Sequence, residues 1–330
     1  MRMWTGTGFL TSCALSAVVM ASSAQAQAPT PATSPEPALG DPLPERILTL
    51  GDGVRVSADI PFSTIPGFRP ITLDIYRPRD MGPHPLVIYV HGGGWMNGHT
   101  RQSGAFSDFT AVLADLSARG YVVASLEYRL SREAPFPAAI HDVRTAIRFL
   151  KAGAGRYGID PRHVAIWGGS AGGQLAALAA LDCGGAPTGD DRSNAGQSDC
   201  VQAAVGWYGV YDFATMPQSA IPRAENAYLG CEKGACPADR VAAASPAAHV
   251  DAKDSPMLLI HGTEDKTVPV TQSQELAAKL KAAKVPVTLE VIPAVGHSWI
   301  GADAAATRAA SLHALDLTFR FFDMQLKGAR

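Results

Sequence analysis

The stretch Val164-Ala165-Ile166-Trp167-Gly168-Gly169-Ser170-Ala171-Gly172 decides how the rest of the chain is read. The four apolar residues at 164–167 read as a buried strand, and the alanine-rich run at 171–181 reads as a helix. Between them lies Gly-x-Ser-x-Gly. A serine on such a strand-to-helix turn occupies a sharp, strained bend that its glycine neighbours make room for, with the hydroxyl exposed above the sheet. The helix N-terminus beside it favours nearby negative charge through aligned peptide dipoles and free N–H groups. A plain Gly/Ser turn that merely begins a helix would look the same in isolation, so its companions decide.

Upstream, the β-branched apolar run at 85–90 ends in His91-Gly92-Gly93-Gly94-Trp95, a strand stopping at a loop. Three consecutive glycines let a loop approach a substrate closely and turn its N–H groups inward, which suits an oxyanion. The candidate donors are the backbone N–H groups of Gly93, Gly94 and Ala171, with His91 holding the loop's shape. Residues 121–126, 201–208, 257–260 and 287–292 also read as strands, and 106–119, 137–150, 271–283 and 304–324 as helices. Alternating strands and helices predict an α/β fold with a mostly parallel sheet covered on both faces.

A serine hydroxyl is a weak nucleophile until a base takes its proton, and that base needs a carboxylate to hold its tautomer. Among nine histidines, His297 lies in a loop late enough to follow every strand. Asp265 directly follows the strand at 257–260, so both groups should project from the same carboxyl edge as Ser170. Glu264 is the rival acid, whereas Asp251 and Asp254 precede that strand. Ser170, Asp265 and His297 are therefore the candidate catalytic residues, in the chain order Ser, acid, His.

Together these residues resemble the α/β-hydrolase family, and within it the His-Gly-Gly-Gly esterases and lipases, close to the hormone-sensitive-lipase type and to bacterial feruloyl or acetyl esterases. Tyr128-Arg129-Leu130, Pro135, Pro137, Asp160-Pro161-Arg162-His163-Val164 and Val268-Pro269 are also similar to this family. The resemblance implies a covalent mechanism on a carboxylic ester, with a small-molecule or polymer-linked ester as partner and neither metal nor organic cofactor. Short-chain acyl or phenolic esters are the expected substrates. One departure is evident: the chain before the first strands carries no amphipathic helix for a helical cap. Any lid should come from the irregular segment 212–248, leaving a small or absent cap. Trp95, Tyr208, Tyr211 and Trp299 are the expected walls of an aromatic-tolerant pocket, burial in the core being the alternative for each.

Of 330 residues, 47% are hydrophobic and 18% charged, the balance of an ordinary globular protein. Twenty-eight basic against thirty acidic residues give a net charge of -2, which disfavours an electrostatic nucleic-acid binder. Residues 1–26 read as a signal peptide, with Arg2, an apolar run and Ala24-Gln25-Ala26, too short an apolar run for a stable membrane insertion. Residues 27–45 read as a Pro-rich linker and 46–330 as the catalytic domain, in a chain exported to the periplasm or beyond. In that oxidising setting the expected disulfides are Cys183–Cys200 and Cys231–Cys236, each closing a short polar segment. Two other readings compete: a prolyl-oligopeptidase-like serine peptidase, for whose usual propeller no residues remain, and an inactive hydrolase-like binding protein, which commonly loses the serine or histidine.

Overall fold

The apolar runs on either side of the Gly-rich loops become neighbouring strands at the centre of a nine-stranded sheet. The computed structural model describes residues 47–80, 82–185, 189, 191–217, 222–231 and 236–328, all inside one unit, Glu45–Arg330. The expected signal peptide and linker lie outside the described residues. In chain order the elements are β1 (Ile47–Thr49), β2 (Arg55–Ser63), β3 (Ile71–Arg77), β4 (His84–Val90), α1 (Phe109–Ala118), β5 (Val122–Leu126), α2 (Ala138–Ala152) and α3 (Ala154–Tyr157). There follow β6 (Ile159–Gly169), α4 (Ala171–Leu181), β7 (Ala203–Trp207), α5 (Pro222–Leu229), α6 (Ala238–Ala244), β8 (Met257–Gly262), α7 (Thr271–Ala282), β9 (Val287–Ile292) and α8 (Ala304–Leu326).

The strand order is β1-β2-β3-β5-β4-β6-β7-β8-β9. Pairing is antiparallel from β1 through β3 to β5 and parallel from β5 across to β9. This is the α/β-hydrolase fold. Every strand and helix expected from the sequence is present; the largest difference is at β6, which begins at Ile159 rather than 164. The three antiparallel strands β1 to β3 were not expected, and they extend the sheet on the side of β5.

Strand side chains alternate between two cores. Leu86, Ile88 and Val90 of β4 and Val164 and Ile166 of β6 face one core, shared with Ile140, Val143 and Ile147 of α2 and the body of α4. Val87, Tyr89, Ala165 and Trp167 face the other, where α1 supplies Phe109 and Leu113 and α8 supplies Phe319 and Phe322. Covering both faces explains why these strands are continuously apolar rather than alternating. Helix α4 is buried along its whole length. Its Gly and Ala residues let it lie close to the sheet, and that closeness presents its N-terminus to the carboxyl ends of β4 and β6.

Both expected disulfides, Cys183–Cys200 and Cys231–Cys236, are formed. Segment 212–248 is less irregular than expected, because it contains α5 and α6, two short helices joined across the Cys231–Cys236 bridge. Among the described residues no helix is long and apolar enough to cross a membrane.

Candidate active site

Ser170 stands between the end of β6 and the start of α4 with φ 56° and ψ −123°, a left-handed backbone that a non-glycine residue adopts only at a cost of about 1–3 kcal/mol. The bend is held because the Ser170 N–H donates to Trp207 O at 2.9 Å and its carbonyl accepts from Gln174 N at 3.0 Å. The flanking glycines are required by space. A Cβ on Gly168 would lie 2.3 Å from Gly172 O, and one on Gly172 would lie 2.1 Å from Val90 O. Neither backbone oxygen can yield without moving α4 off the sheet or displacing the end of β4. Gly172→Ala should therefore destabilise the protein by about 3 kcal/mol or more, read as a lower thermal midpoint, whereas an Ala tolerated at wild-type stability would contradict this packing.

His297 lies in a short 3-10 turn, His297–Trp299, just beyond β9, and Asp265 follows β8. Its Nδ1 is 2.7 Å from Asp265 Oδ2, and its Nε2 is 2.9 Å from Ser170 Oγ. A carboxylate only accepts, so Nδ1 carries the proton and Nε2 is left to accept from the serine hydroxyl. The turn is anchored by Trp299, fully buried against Trp207 and Tyr208, and by Gly296 N donating to Ile300 O at 2.8 Å. The edge-on Tyr208 ring, 4.8 Å from the imidazole centroid, limits its swing.

The Asp265 carboxylate is itself held from several directions. Oδ1 accepts from Thr267 N at 2.8 Å and Val268 N at 2.9 Å. His261 Nε2 faces both Val268 O at 2.9 Å and Asp265 Oδ2 at 3.3 Å, two acceptors, so it carries the proton, while its Nδ1 accepts from Ser273 Oγ at 2.7 Å. Burial works to raise the Asp265 pKa, but hydrogen bonds from His261 and His297 and the His297 charge outweigh it and hold the carboxyl below the usual carboxylate range. A carboxyl that is more acidic folded than unfolded stabilises the fold above the ordinary value of about 4 and loses that contribution as pH falls through the lower native value. Wild type should thus lose thermal stability below about pH 4 more steeply than Asp265→Asn; parallel curves would mean that this carboxylate is not so held.

The glycine loop lies against the elbow. A Cβ on Gly92 would sit 2.7 Å from Gly169 O and 3.4 Å from Ser170 Cβ. Gly93 and Gly94 have φ of 110° and 61° and, with Ser170 and His297, line a cavity of about 330 Å³. Ala171 is the first residue of α4, so its N–H has no partner within the helix. His91 is buried, stacked on Tyr128 at 4.3 Å, with Nδ1 2.7 Å from Gly92 O. Burial lowers its pKa to about 4, against the pull of the Gly92 carbonyl, which suits an uncharged shape-keeper. Tyr128 Oη donates to His91 O at 3.1 Å, and the next residue, Arg129, is paired with buried Asp142 at 2.9 Å. The Tyr128-Arg129 motif therefore props the glycine loop from behind.

All six sequence-derived site residues meet at the carboxyl edge of the central strands. Glu264, the rival acid, is exposed, and the carboxylate on His297 Nδ1 is that of Asp265. The aromatic-wall expectation is corrected: of Trp95, Tyr208, Tyr211 and Trp299, only Tyr208 lines the cavity beside Ser170, and the other three are core residues with exposures of 3%, 0% and 0%. The large apolar area of each is better buried than presented to solvent. Missed were His261 and Ser273, whose signal was a histidine at the buried end of an apolar strand. Among the described residues no cluster of three or more His, Cys, Asp or Glu could hold a metal.

A strained serine between β6 and α4, with acid and histidine following β8 and β9, defines the class of α/β-hydrolase-fold serine esterases and lipases. The BD-FAE family model matches residues 73–280, and the chain belongs to this family. Esterase LipC of Mycobacterium tuberculosis is 32% identical over 71% of this chain and 58% of its own length. The chain spans about half the length of the curated relatives it matches. Among solved structures, a truncated carbohydrate esterase from gut microbiota superposes with a TM-score of 0.69 at 26% identity, over 82% of this chain and 96% of that one. An acetyl ester-xyloside bifunctional hydrolase from Caldicellulosiruptor lactoaceticus gives 0.67 at 25% identity, over 81% and 95%.

Proposed function

We propose that this chain is a carboxylic-ester hydrolase working through an acyl-enzyme on Ser170. The observation that carries the reading is the continuous hydrogen-bonded line from Ser170 Oγ through His297 to Asp265 Oδ2, at the wall of a cavity that Gly93 and Gly94 also line. Ser170 Oγ attacks the ester carbonyl carbon while His297 Nε2 takes its proton. The carbonyl oxygen, now anionic, receives the N–H groups of Gly93, Gly94 and Ala171, each contributing about 3 kcal/mol in the transition state. As the C–O bond breaks, His297 returns the proton to the leaving alkoxide. Water then attacks the acyl carbon, passing a proton to His297, and the acid departs as Ser170 recovers its hydrogen. Asp265, ionised throughout, holds the tautomer and stabilises the cation on His297.

The substrates are short-chain acyl or phenolic esters of larger alcohols such as plant-polymer fragments. A cavity of about 330 Å³ suits a small acyl group, and two structural neighbours are a carbohydrate esterase and an acetyl ester-xyloside bifunctional hydrolase. Residues 1–26 direct export, which accords with the two disulfides. The test is a panel of p-nitrophenyl and sugar esters of graded acyl length and aromatic character, run beside peptide substrates. Turnover should be highest on short or phenolic acyl groups; peptide cleavage without ester cleavage would overturn the reading.

A further inference from the structure

The oxyanion loop is strained where it leaves the site. After Gly93 and Gly94, Trp95 also has a positive φ of 56°, a conformation unfavourable for a bulky residue, so something must hold it. Its carbonyl accepts from Ser131 N at 2.7 Å and Ser131 Oγ at 3.0 Å. Its ring is stacked on Tyr228 of α5 at 4.5 Å and packs on Phe213 at 5.5 Å. Its indole Nε1–H donates to Gln174 Oε1 at 2.9 Å.

Gln174 lies one turn into α4, the helix that Ser170 begins, and is fully buried. Its Nε2 donates to Ala244 O at 2.8 Å, the last carbonyl of α6, which has no acceptor duty within its own helix. The orientation of the amide is forced, since an indole only donates and a carbonyl only accepts. Helix α5 also flanks the loop, where a Cβ on Gly94 would meet Ala224 Cβ at 3.4 Å. One side chain thus spans the nucleophile's helix, the oxyanion loop and the 212–248 segment.

We infer that Gln174 is a positioning residue that sets the distance between the Ser170 hydroxyl and the Gly93 and Gly94 N–H groups, and that α5 and α6 act on catalysis through it. The inference rests on the ester-hydrolase reading above. Gln174→Glu keeps the shape and the acceptor for Trp95 but sets an oxygen against Ala244 O; Gln174→Leu removes both bonds; Trp95→Phe removes the donor alone. Each should lower kcat on p-nitrophenyl acetate by about tenfold or more with KM changed less than about threefold, because the misplaced donors act on the transition state. Affinity for an alkylboronic acid, which forms a tetrahedral adduct on Ser170, should fall in parallel. Combining Gln174→Leu with Trp95→Phe should cost no more than the worse single change, since the bond that Trp95→Phe removes is already gone in Gln174→Leu. Full kcat in folded Gln174→Glu and Trp95→Phe, or losses that multiply in the double variant, would overturn the inference while leaving the hydrolase reading intact. A wild-type chain inactive on every ester would remove both.

Discussion

Ser170→Ala lowers kcat on p-nitrophenyl acetate by about 10⁵-fold, to a rate near that of the buffer plus whatever oxyanion stabilisation survives. The size follows from the geometry. Ser170 Oγ is the atom held 2.9 Å from His297 Nε2, and removing it takes away both the nucleophile and the only acceptor of the acyl group. The fold should be indifferent, since alanine adopts the same φ of 56° no less readily than serine and the lost hydrogen bond is only partly buried. Substrate binding should persist as well, because most of the cavity wall is made by residues other than Ser170. The measurement pairs steady-state kinetics with mass spectrometry of a slow substrate, which should show an acyl adduct on wild type and none on the variant. Turnover within tenfold of wild type would remove Ser170 from the mechanism.

Asp265→Asn should cost about 10³- to 10⁴-fold in kcat, more than its conservative appearance implies. The reason lies in the backbone around the side chain. Thr267 N and Val268 N both donate to Oδ1, so the asparagine oxygen must take that place. The new NH₂ then occupies the Oδ2 position and faces His297 Nδ1 and the proton-bearing Nε2 of His261. It can only donate, which turns His297 to the tautomer with its proton on Nε2, aimed at Ser170 Oγ. A base carrying a proton there cannot accept one. It also sets two donors together in a buried site, so the thermal midpoint near neutral pH should fall. Steady-state kcat and thermal unfolding of the one variant check both effects; a kcat within about tenfold of wild type would show that Asp265 is not the tautomer-setting acid.

The parts of this molecule that were legible were those whose signal is local. The run from Val164 to Gly172 is apolar, then glycine-rich, then alanine-rich, and each change in composition has a direct conformational consequence. Strands β1 to β3 carry a weaker signal, alternation without a continuous apolar run, and were not expected. In β2 the order Arg55-Val56-Ser57-Ala58-Asp59-Ile60-Pro61 does alternate, but Asp59 and Pro61 read locally as turn residues, and the pairing with β3 shifts register twice around them, so the neighbouring strand carries the chain through residues that would end an isolated strand. Helices α5 and α6 are short and start at or just after a proline, and they exist through packing on Trp95 and Gln174 rather than through periodicity. Gln174 did carry one clue, a lone amide in a helix otherwise made of Gly, Ala and Leu.

By itself the sequence determined the class of fold and the identity of the reacting groups, because elbow, glycine loop and late histidine are each dictated by backbone sterics and proton chemistry within a few residues. Only the tertiary structure decided which aromatics wall the cavity and which are core, and how the acid is oriented. It also decided how loop, nucleophile helix and the 212–248 segment are tied. Those outcomes depend on atoms far apart in the chain, as with Trp95 and Gln174 or His297 and Ser170, whose hydrogen bonds exist only once the sheet has set its strands side by side.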